Sequence, residues 1–268
     1  MIRQPIGRSW MIVLGIASVV VLMGGYTYLS HRQHQINPDD KTIPNWSQLK
    51  EGAMKIVEVN HRSGDRWLVS DAKATAKRLF LGLGLGIAGA IIVGVLMGCF
   101  PAIEAFFYPS LALLAKLPPT AMLAVFFVMV GTSTNMFVAM IAFGVLPTLA
   151  QSVYLAVKDV PDEYLYKAYT LGASHVEVIW NVIFRHVLPK LIDSVRLQIG
   201  PAMVYLIAAE MLVADVGFGY RIRLQSKLLN MDVVYPYLAL LAVFGFAMDF
   251  GLSRLQRLIC PWYANEGK

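Results

Sequence analysis

Long apolar runs dominate this chain and predict helices that cross a membrane. A helix needs about 20 mostly apolar residues to cross the hydrocarbon core of a bilayer. Six stretches have this character, at residues 10–29, 79–98, 107–130, 135–155, 190–213 and 234–252. The pattern therefore predicts an all-α membrane protein with about six transmembrane helices.

The first apolar run follows two basic residues, Arg3 and Arg8, as the core of a signal peptide also would. It is longer than the typical core of a signal peptide, and no clear small-x-small cleavage site follows it. We therefore expect residues 1–30 to be an uncleaved first transmembrane helix. A cytoplasmic N-terminus is favoured, because basic residues then concentrate on the inner side, at Arg3, Arg8, Lys158, Lys167, Arg185, Arg254, Arg257 and Lys268.

Residues 31–76 form the only long polar stretch, and the same orientation makes this segment periplasmic. Apolar residues recur within it at helical spacing, at Trp46, Leu49, Ala53, Ile56 and Val57. This spacing predicts a short amphipathic helix. Two placements stay open for it: at the membrane surface, or packed on the outer face of the protein itself.

Glycine and proline set the remaining expectations for the spans. In the second span, Gly82 and Gly86, and then Gly94 and Gly98, have the four-residue spacing that lets neighbouring helices approach closely. The third span is interrupted by Pro118-Pro119 and the fifth by Gly200-Pro201. Proline removes a backbone donor and kinks a helix, and broken helices of this kind often line a path through the membrane.

Composition removes several function classes. Of the 268 residues, 57% are hydrophobic and only 15% are charged, against about 25% charged in a soluble domain. The net charge of +6 is scattered between apolar runs, which indicates a partner bilayer and no nucleic acid. Cys99 and Cys260 form no disulfide framework or metal motif. The sequence also lacks a GxxxxGK[ST] phosphate loop, HExxH and GxSxG, so we expect no enzyme activity, cofactor or metal in this chain.

Residues 156–189 predict two short helices joined by a glycine turn. Pro161 and the acids that follow it suit a helix start, and Gly172 suits a turn. A second helix is expected from about Ser174 to Pro189. Its apolar side is predicted to carry Val176, Ile179, Trp180, Ile183 and Val187. The segment is either an interfacial linker between spans or a docking surface for a cytoplasmic partner.

This segment resembles the EAA loop of ABC importer permeases. The resemblance rests on Tyr166-Lys167-Ala168-Tyr169-Thr170-Leu171-Gly172-Ala173-Ser174 and on Val187-Leu188-Pro189. Leu117–Ala121, Ala209–Leu212 and Gly217–Tyr220 are also similar to the nitrate/sulfonate/taurine permease group. The likeness covers about residues 70–260. Tyr166-Lys167 stands where the family has Glu-Ala, and Phe184-Arg185 where a Leu-Pro is frequent.

The resemblance implies the type I ABC importer permease fold, with a transmembrane core at 77–260 and a cytoplasmic tail at 261–268. It also implies a bacterial inner-membrane permease that passes a small polar or anionic nutrient. The implied partners are a second permease copy, two cytoplasmic P-loop ATPase subunits that hold ATP and Mg, and a periplasmic substrate-binding protein. The residues that it assigns to ATPase coupling are Tyr166, Lys167, Ala168, Gly172, Ala173, Ser174 and Pro189.

Ionisable residues inside spans are costly and are candidates for function. Lys116 precedes the proline pair and could attract an anion, or its ammonium group could extend to the membrane surface. Glu210 is expected to orient the loop that carries Gly217 and Gly219, and Asp249 to pair with Arg254 or Arg257. The candidate translocation-path residues are Lys116, Pro118, Pro119 and Glu210. An ion-coupled carrier or channel is the alternative function.

Overall fold

The computed structural model describes residues 7–38, 40–58 and 66–263, and its long elements are all helices. In chain order they are α1 (Arg8–Ile36), α2 (Trp46–Val57), α3 (Trp67–Cys99), α4 (Pro101–Leu114), α5 (Leu123–Val130), α6 (Thr134–Lys158), α7 (Asp162–Thr170), α8 (His175–Glu177), a π-helical segment (Val178–Phe184), α9 (Arg185–Val213), α10 (Phe218–Lys227) and α11 (Met231–Ile259). The extreme N-terminus and most of the predicted tail lie outside the described residues.

Five helical stretches are long and apolar enough to cross a membrane: Ser9–Ile36, Trp67–Cys99, Thr134–Lys158, His175–Val213 and Met231–Ile259. They confirm the predicted spans at 10–29, 79–98, 135–155, 190–213 and 234–252. Each helix is longer than its apolar run because polar residues continue the backbone hydrogen bonds at its ends. In particular, α3 begins at Trp67, inside the stretch that the sequence indicated as polar.

The predicted third span, over 107–130, is not one continuous helix. Two helices, α4 and α5, occupy this region, and a turn that contains Pro118-Pro119 separates them. The 14 residues of α4 extend about 21 Å at the rise of an α-helix, which is less than the thickness of the hydrocarbon core. The break itself was expected, because two consecutive prolines remove two backbone donors.

The glycines of α3 pack against α6, as their spacing predicted. A Cβ atom on Gly82 would lie 2.6 Å from Cβ of Ile141, and one on Gly98 would lie 2.5 Å from Cβ of Val157. A Cβ atom on Gly94 would lie 2.7 Å from the backbone oxygen of Ala150. A side chain at any of these positions would push the helices apart, so the glycine stripe sets their separation.

The main hydrophobic core surrounds α6. This helix packs along α9, and α4 and α5 also contact it. Its buried side chains include Met136, Phe137, Met140, Ile141, Val145 and Leu149. Pro147 lies inside α6 and is also buried, so packing on several sides holds a helix that proline alone would weaken.

The chain divides into two compact units, of which the smaller contains residues up to 67 and Leu224–Leu238. Within it, Asn45 caps the N-terminus of α2, and its side chain accepts a hydrogen bond from the backbone N–H of Gln48. Gly52 and Ile56 are buried, and a Cβ atom on Gly52 would lie 1.9 Å from the backbone oxygen of Asp232. The predicted short helix is confirmed, and its buried side packs on the protein itself.

Candidate functional site

Helix α7 begins as the sequence predicted. Pro161 is its N-cap, and Asp162 and Glu163 occupy the first turn, where carboxylates favour the positive end of the helix dipole. Most of its side chains are exposed, and only Leu165 and Ala168 are half-buried. Helix α7 therefore presents most of its surface outward, and Leu165 and Ala168 pack against the hydrophobic core.

A Schellman motif ends α7 at Gly172. The N–H of Gly172 donates to the carbonyl of Tyr169 at 2.9 Å, and the N–H of Ala173 donates to the carbonyl of Ala168 at 3.1 Å. Gly172 has φ +84°, a conformation that disfavours side chains, and a Cβ atom there would meet no other atom within 4 Å. Three of the predicted coupling residues, Ala168, Gly172 and Ala173, thus form one turn.

Ser174 starts the next helix through a capping box. Its N–H donates to Glu177 Oε2 at 2.8 Å, and its Oγ accepts from the N–H of Glu177. The hydroxyl of Tyr169 lies 2.9 Å from Nδ1 of His175 and so joins the two helices across the turn. The path of the chain from α7 to α8 is fixed by hydrogen bonds on both sides of Gly172.

Two predictions for the second helix were wrong. It does not close at Pro189, which lies buried inside α9, because burial of Val187 and Pro189 holds the helix through that position. The expected apolar side also fails at Val176 and Trp180, which are 75% and 63% exposed. The π-helical turns of Val178–Phe184 add residues per turn and shift Trp180 and every later side chain relative to a regular α-helix, whereas Val176 lies before them in α8.

The coupling candidates therefore lie at two places. Tyr166 and Lys167 are exposed on α7, and Ser174 follows the turn. Pro189 lies farther along α9, where its carbonyl accepts a hydrogen bond from Nε2 of Gln256 at 3.0 Å.

The translocation-path candidates are also separated. Lys116 and Pro118 are exposed in the turn between α4 and α5, whereas Pro119 is buried. A Cβ atom on Gly144 of α6 would lie 2.9 Å from Pro119 and 2.4 Å from the ring of Tyr205 on α9. Gly144 therefore makes room for both rings, and Pro119 packs against α6 at this glycine.

Glu210 lies in a different place, in a buried ionic cluster. Its carboxylate accepts from Arg78 Nη1 at 2.8 Å, from the hydroxyl of Thr75 at 3.0 Å and from the N–H of Gly219 at 3.0 Å. The Glu210 side chain is fully buried, and that of Arg78 is 11% exposed. The carboxylate is thus compensated by a charge and by hydrogen bonds, as a buried ion requires.

A second pair completes this ionic cluster. Arg221 Nε donates to Asp71 Oδ2 at 2.9 Å, and the N–H of Gly217 donates to Asp71 Oδ1 at 3.1 Å. Gly217 has φ +130°, and a Cβ atom there would lie 2.5 Å from Glu210 Oε1. Only glycine fits at this position, and the expectation that Glu210 orients the Gly217–Gly219 loop is confirmed.

Asp249 has a different partner from the one predicted. It accepts from Arg196 Nε at 2.8 Å and from Arg196 Nη2 at 3.2 Å, and not from Arg254 or Arg257. The pair joins α9 to α11 across 53 residues of sequence, a contact that local spacing does not reveal.

Sequence reasoning missed Asp71, Thr75, Arg78 and Arg221. The sequence did contain a signal for Asp71, Thr75 and Arg78, because spacings of four and then three residues place all three on one face of a helix. Asp71 and Thr75 were overlooked because residues 31–76 were assigned to a polar segment outside the membrane, and Arg78 because it falls between that segment and the span predicted from residue 79. Arg221 carried no comparable local pattern.

Comparison with known proteins decides the family. The profile described as "Binding-protein-dependent transport system inner membrane component" matches residues 80–263. The chain belongs to this family. It is the permease subunit of an ABC importer in the inner membrane, and its membership favours this function over an ion-coupled carrier or channel.

Two relatives and one solved structure illustrate the likeness. The permease is 30% identical to the taurine transport system permease protein TauC of Escherichia coli (strain K12), over 98% of this chain and 94% of the relative. It is 25% identical to the putative aliphatic sulfonates transport permease protein SsuC of Bacillus subtilis (strain 168), over 69% and 67%. A chain of the inward-facing MetNI methionine ABC transporter matches with a TM-score of 0.64 and 20% identity, over 72% of this permease and 96% of that chain.

These matches confirm the type I ABC importer permease fold. Family membership implies an ATPase subunit and a substrate-binding protein as partners. The family profile begins at residue 80, so α1 and α2 lie outside the matched part of the permease.

Proposed function

We propose that a cytoplasmic ATPase subunit docks on a coupling surface formed by Tyr166, Lys167, Leu171, Val176 and Trp180. The observation that carries this proposal is the exposure of four large apolar side chains around the Gly172 turn. Tyr166 is 67% exposed, Leu171 87%, Val176 75% and Trp180 63%. Apolar groups that remain exposed together mark an interaction site, and Tyr and Trp are frequent anchors of protein interfaces.

Polar neighbours favour an aqueous partner over lipid for this surface. Asp162, Glu163 and Lys167 are exposed on α7, and His175 and Glu177 are exposed just after the turn. Charged groups at this density are expensive in hydrocarbon, whereas a polar rim around apolar anchors is usual in a protein interface. The coupling surface therefore suits a soluble subunit.

Helical continuity supports a mechanical role for this surface. The Schellman motif fixes the angle between α7 and the helix that follows, and α7 also contacts the π-helical segment. From His175 the chain stays helical to Val213, through the segment long enough to cross the membrane. A displacement of α7 by closing ATPase subunits would reach α9 without crossing a flexible loop.

The complete importer in this proposal contains two copies of the permease and two ATPase subunits, which bind ATP and Mg. A periplasmic binding protein delivers the substrate. A small anion of the sulfonate class is the proposed substrate, because the relatives are named for taurine and aliphatic sulfonates. Lys116, exposed in the turn after α4, supplies a positive charge for it.

The docking step is tested with Tyr166→Ala and the matched variant Tyr28→Ala. Both tyrosines are 67% exposed, but Tyr28 lies on α1. The permease is expressed with the ATPase encoded beside it, and the amount of ATPase that co-purifies is measured. We expect Tyr166→Ala to lower recovery at least tenfold and Tyr28→Ala to leave it unchanged. Equal recovery with both variants would refute docking at this surface.

The coupling step is tested with Gly172→Val and the control Gly131→Val. The two glycines have φ of +84° and +81°, and neither has a neighbouring atom within 4 Å of an added Cβ. In proteoliposomes with the binding protein and ATPase, we expect Gly172→Val to retain membrane insertion but to separate ATP hydrolysis from taurine uptake. Normal uptake by Gly172→Val would contradict the proposal.

The substrate assignment is tested separately with Lys116→Gln. If Lys116 attracts the anion, the variant should show taurine uptake reduced several-fold at low ionic strength and less at high salt, because salt screens exposed charges. Lys77→Gln, which removes another exposed lysine, is the control. Uptake that is identical in the two variants would remove Lys116 from the path.

A further inference from the structure

Helix α2 has three distinct faces, and one of them is both apolar and exposed. At 100° per residue, positions 46, 50, 53, 54 and 57 fall within an arc of about 100°. Trp46 is 49% exposed, Met54 51% and Val57 53%, and Ala53 and Lys50 are exposed beside them. We name these five residues the outer stripe of α2.

The other two faces of α2 already have an environment. Gly52 and Ile56 are buried against the protein, and Leu49 is half-buried beside them. On the opposite side, Glu51 is exposed, and Lys55 forms an ion pair with Asp232 at 3.0 Å. The outer stripe therefore lies between a packed face and a hydrophilic face.

Contacts at the start of α2 fix its depth relative to α1. The indole N–H of Trp46 donates to Thr27 Oγ1 at 3.1 Å, and the hydroxyl of Tyr26 donates to the carbonyl of Pro44 at 2.6 Å. The apolar run of α1 ends at Leu29. The N-terminus of α2 thus lies beside the last turns of a membrane-spanning run.

The middle of α2 contacts α11 close to the point where the apolar run of α11 begins. Gly52 contacts the backbone of Asp232, the second residue of α11 and just ahead of its apolar run. The rings of Tyr26 and Tyr235 are 6.0 Å apart, so the end of one run and the start of the other are level. Helix α2 extends from the end of the apolar run of α1 to the start of the apolar run of α11, and it therefore runs along the membrane boundary.

We propose that α2 lies in the membrane interface, where Trp46, Met54 and Val57 contact lipid and Lys50 reaches lipid phosphates. Trp46 is also 5.6 Å from the ring of Tyr26, and Trp and Tyr are enriched at this depth of a bilayer. An apolar stripe with a lysine among its residues, beside a hydrophilic face, is the pattern of interfacial helices. The surface binds the bilayer, and it is not the docking site of the binding protein.

Spin labels on α2 test this placement in nanodiscs of phosphatidylethanolamine and phosphatidylglycerol. Cys99 and Cys260 are replaced by alanine, and a label is attached at Val57→Cys or, as the control, at Glu51→Cys. Both native residues are exposed on the same helix, but they lie on different faces. We expect the ratio of oxygen to nickel-chelate accessibility at position 57 to exceed that at position 51 at least threefold.

Two results would overturn the proposal. One is equal nickel-chelate accessibility at the two positions, and the other is protection of position 57 only after the binding protein is added. Fluorescence provides a measurement without cysteine replacement. Lipids brominated near the carbonyl end of their chains should quench the permease, and Trp46→Phe should lose part of that quenching. Unchanged quenching in Trp46→Phe would also refute the interfacial placement.

Discussion

Replacing Arg78 by methionine removes one partner of a buried ion pair, so we expect a large loss of stability. The Glu210 carboxylate is fully buried, and the Arg78 guanidinium is 11% exposed. Removing one member of such a pair costs about 3–5 kcal/mol. Thr75 and Gly219 still donate to Glu210 in this variant, which favours the lower end of about 3 kcal/mol.

The converse variant, Glu210→Gln, should cost less. Arg78 keeps its hydrogen bond to the carbonyl of Val216, at 2.7 Å, and its position over the ring of Phe137, so it loses mainly one charged hydrogen bond, about 1.5–3 kcal/mol. In the double variant neither charge remains unpaired. We expect its loss to fall short of the sum of the single losses by about 2 kcal/mol.

Thermal unfolding in detergent, followed with a thiol-reactive dye, measures these losses. Cys260 is buried and Cys99 is half-buried, so both should react mainly after unfolding. A loss of 3 kcal/mol corresponds to about 6–12 °C in Tm on the scale of soluble domains of 150–250 residues. Arg254→Met is the control, because Arg254 is exposed and stacks only on Phe250 at 4.9 Å. If the two single losses add to within about 0.5 kcal/mol in the double variant, the side chains are not coupled and the reasoning fails.

Three further predictions concern close contacts and one thiol. Gly94→Ala should lower the free energy of unfolding by about 1–3 kcal/mol, because the added methyl group overpacks the contact with α6. Gly84→Ala adds a methyl group with no atom within 4 Å, so it should leave that free energy unchanged or raise it by up to about 1 kcal/mol. The same unfolding assay distinguishes the two variants. Gly52→Ala should loosen α2, measured as greater mobility of a spin label at position 57, and unchanged mobility would contradict the contact at Asp232. Burial raises the pKa of the Cys260 thiol, so less thiolate forms at pH 8. Alkylation of Cys260 should therefore be at least tenfold slower in the folded permease than in the denatured chain, and its rate should rise at higher pH. Equal rates in the folded and denatured chains would refute the burial of Cys260.

The spans and the glycine turn were predictable because each depends on local sequence. An apolar run of sufficient length has few alternatives to a membrane helix, and the break at Pro118-Pro119 follows from two missing donors. Gly172 was recognisable because a helix that ends in the left-handed region usually ends at glycine. The four-residue glycine spacing of α3 likewise predicted its close packing.

The pairing of residues within the ionic cluster and the π-helical segment were not predictable from local pattern. Asp71 and Arg221 are 150 residues apart in sequence, and their pairing exists only after α3 and the chain after α9 have folded together. The π-helical turns change the number of residues per turn, so a regular helical spacing assigned Trp180 to the wrong face. The pairing depends on tertiary contacts, and the misassigned face depends on a local change in the number of residues per turn.

The glycine stripe of α3 has a consequence for how the permease can move during transport. Side chains of α6, including those of Ile141, Leu146 and Val157, fill recesses that exist only above glycine positions of α3. A slide by the rise of one residue, about 1.5 Å, would move those side chains out of the recesses and against neighbouring positions of α3. The packing therefore fixes the register of α3 relative to α6. The motion that opens the translocation path must occur at other helix contacts.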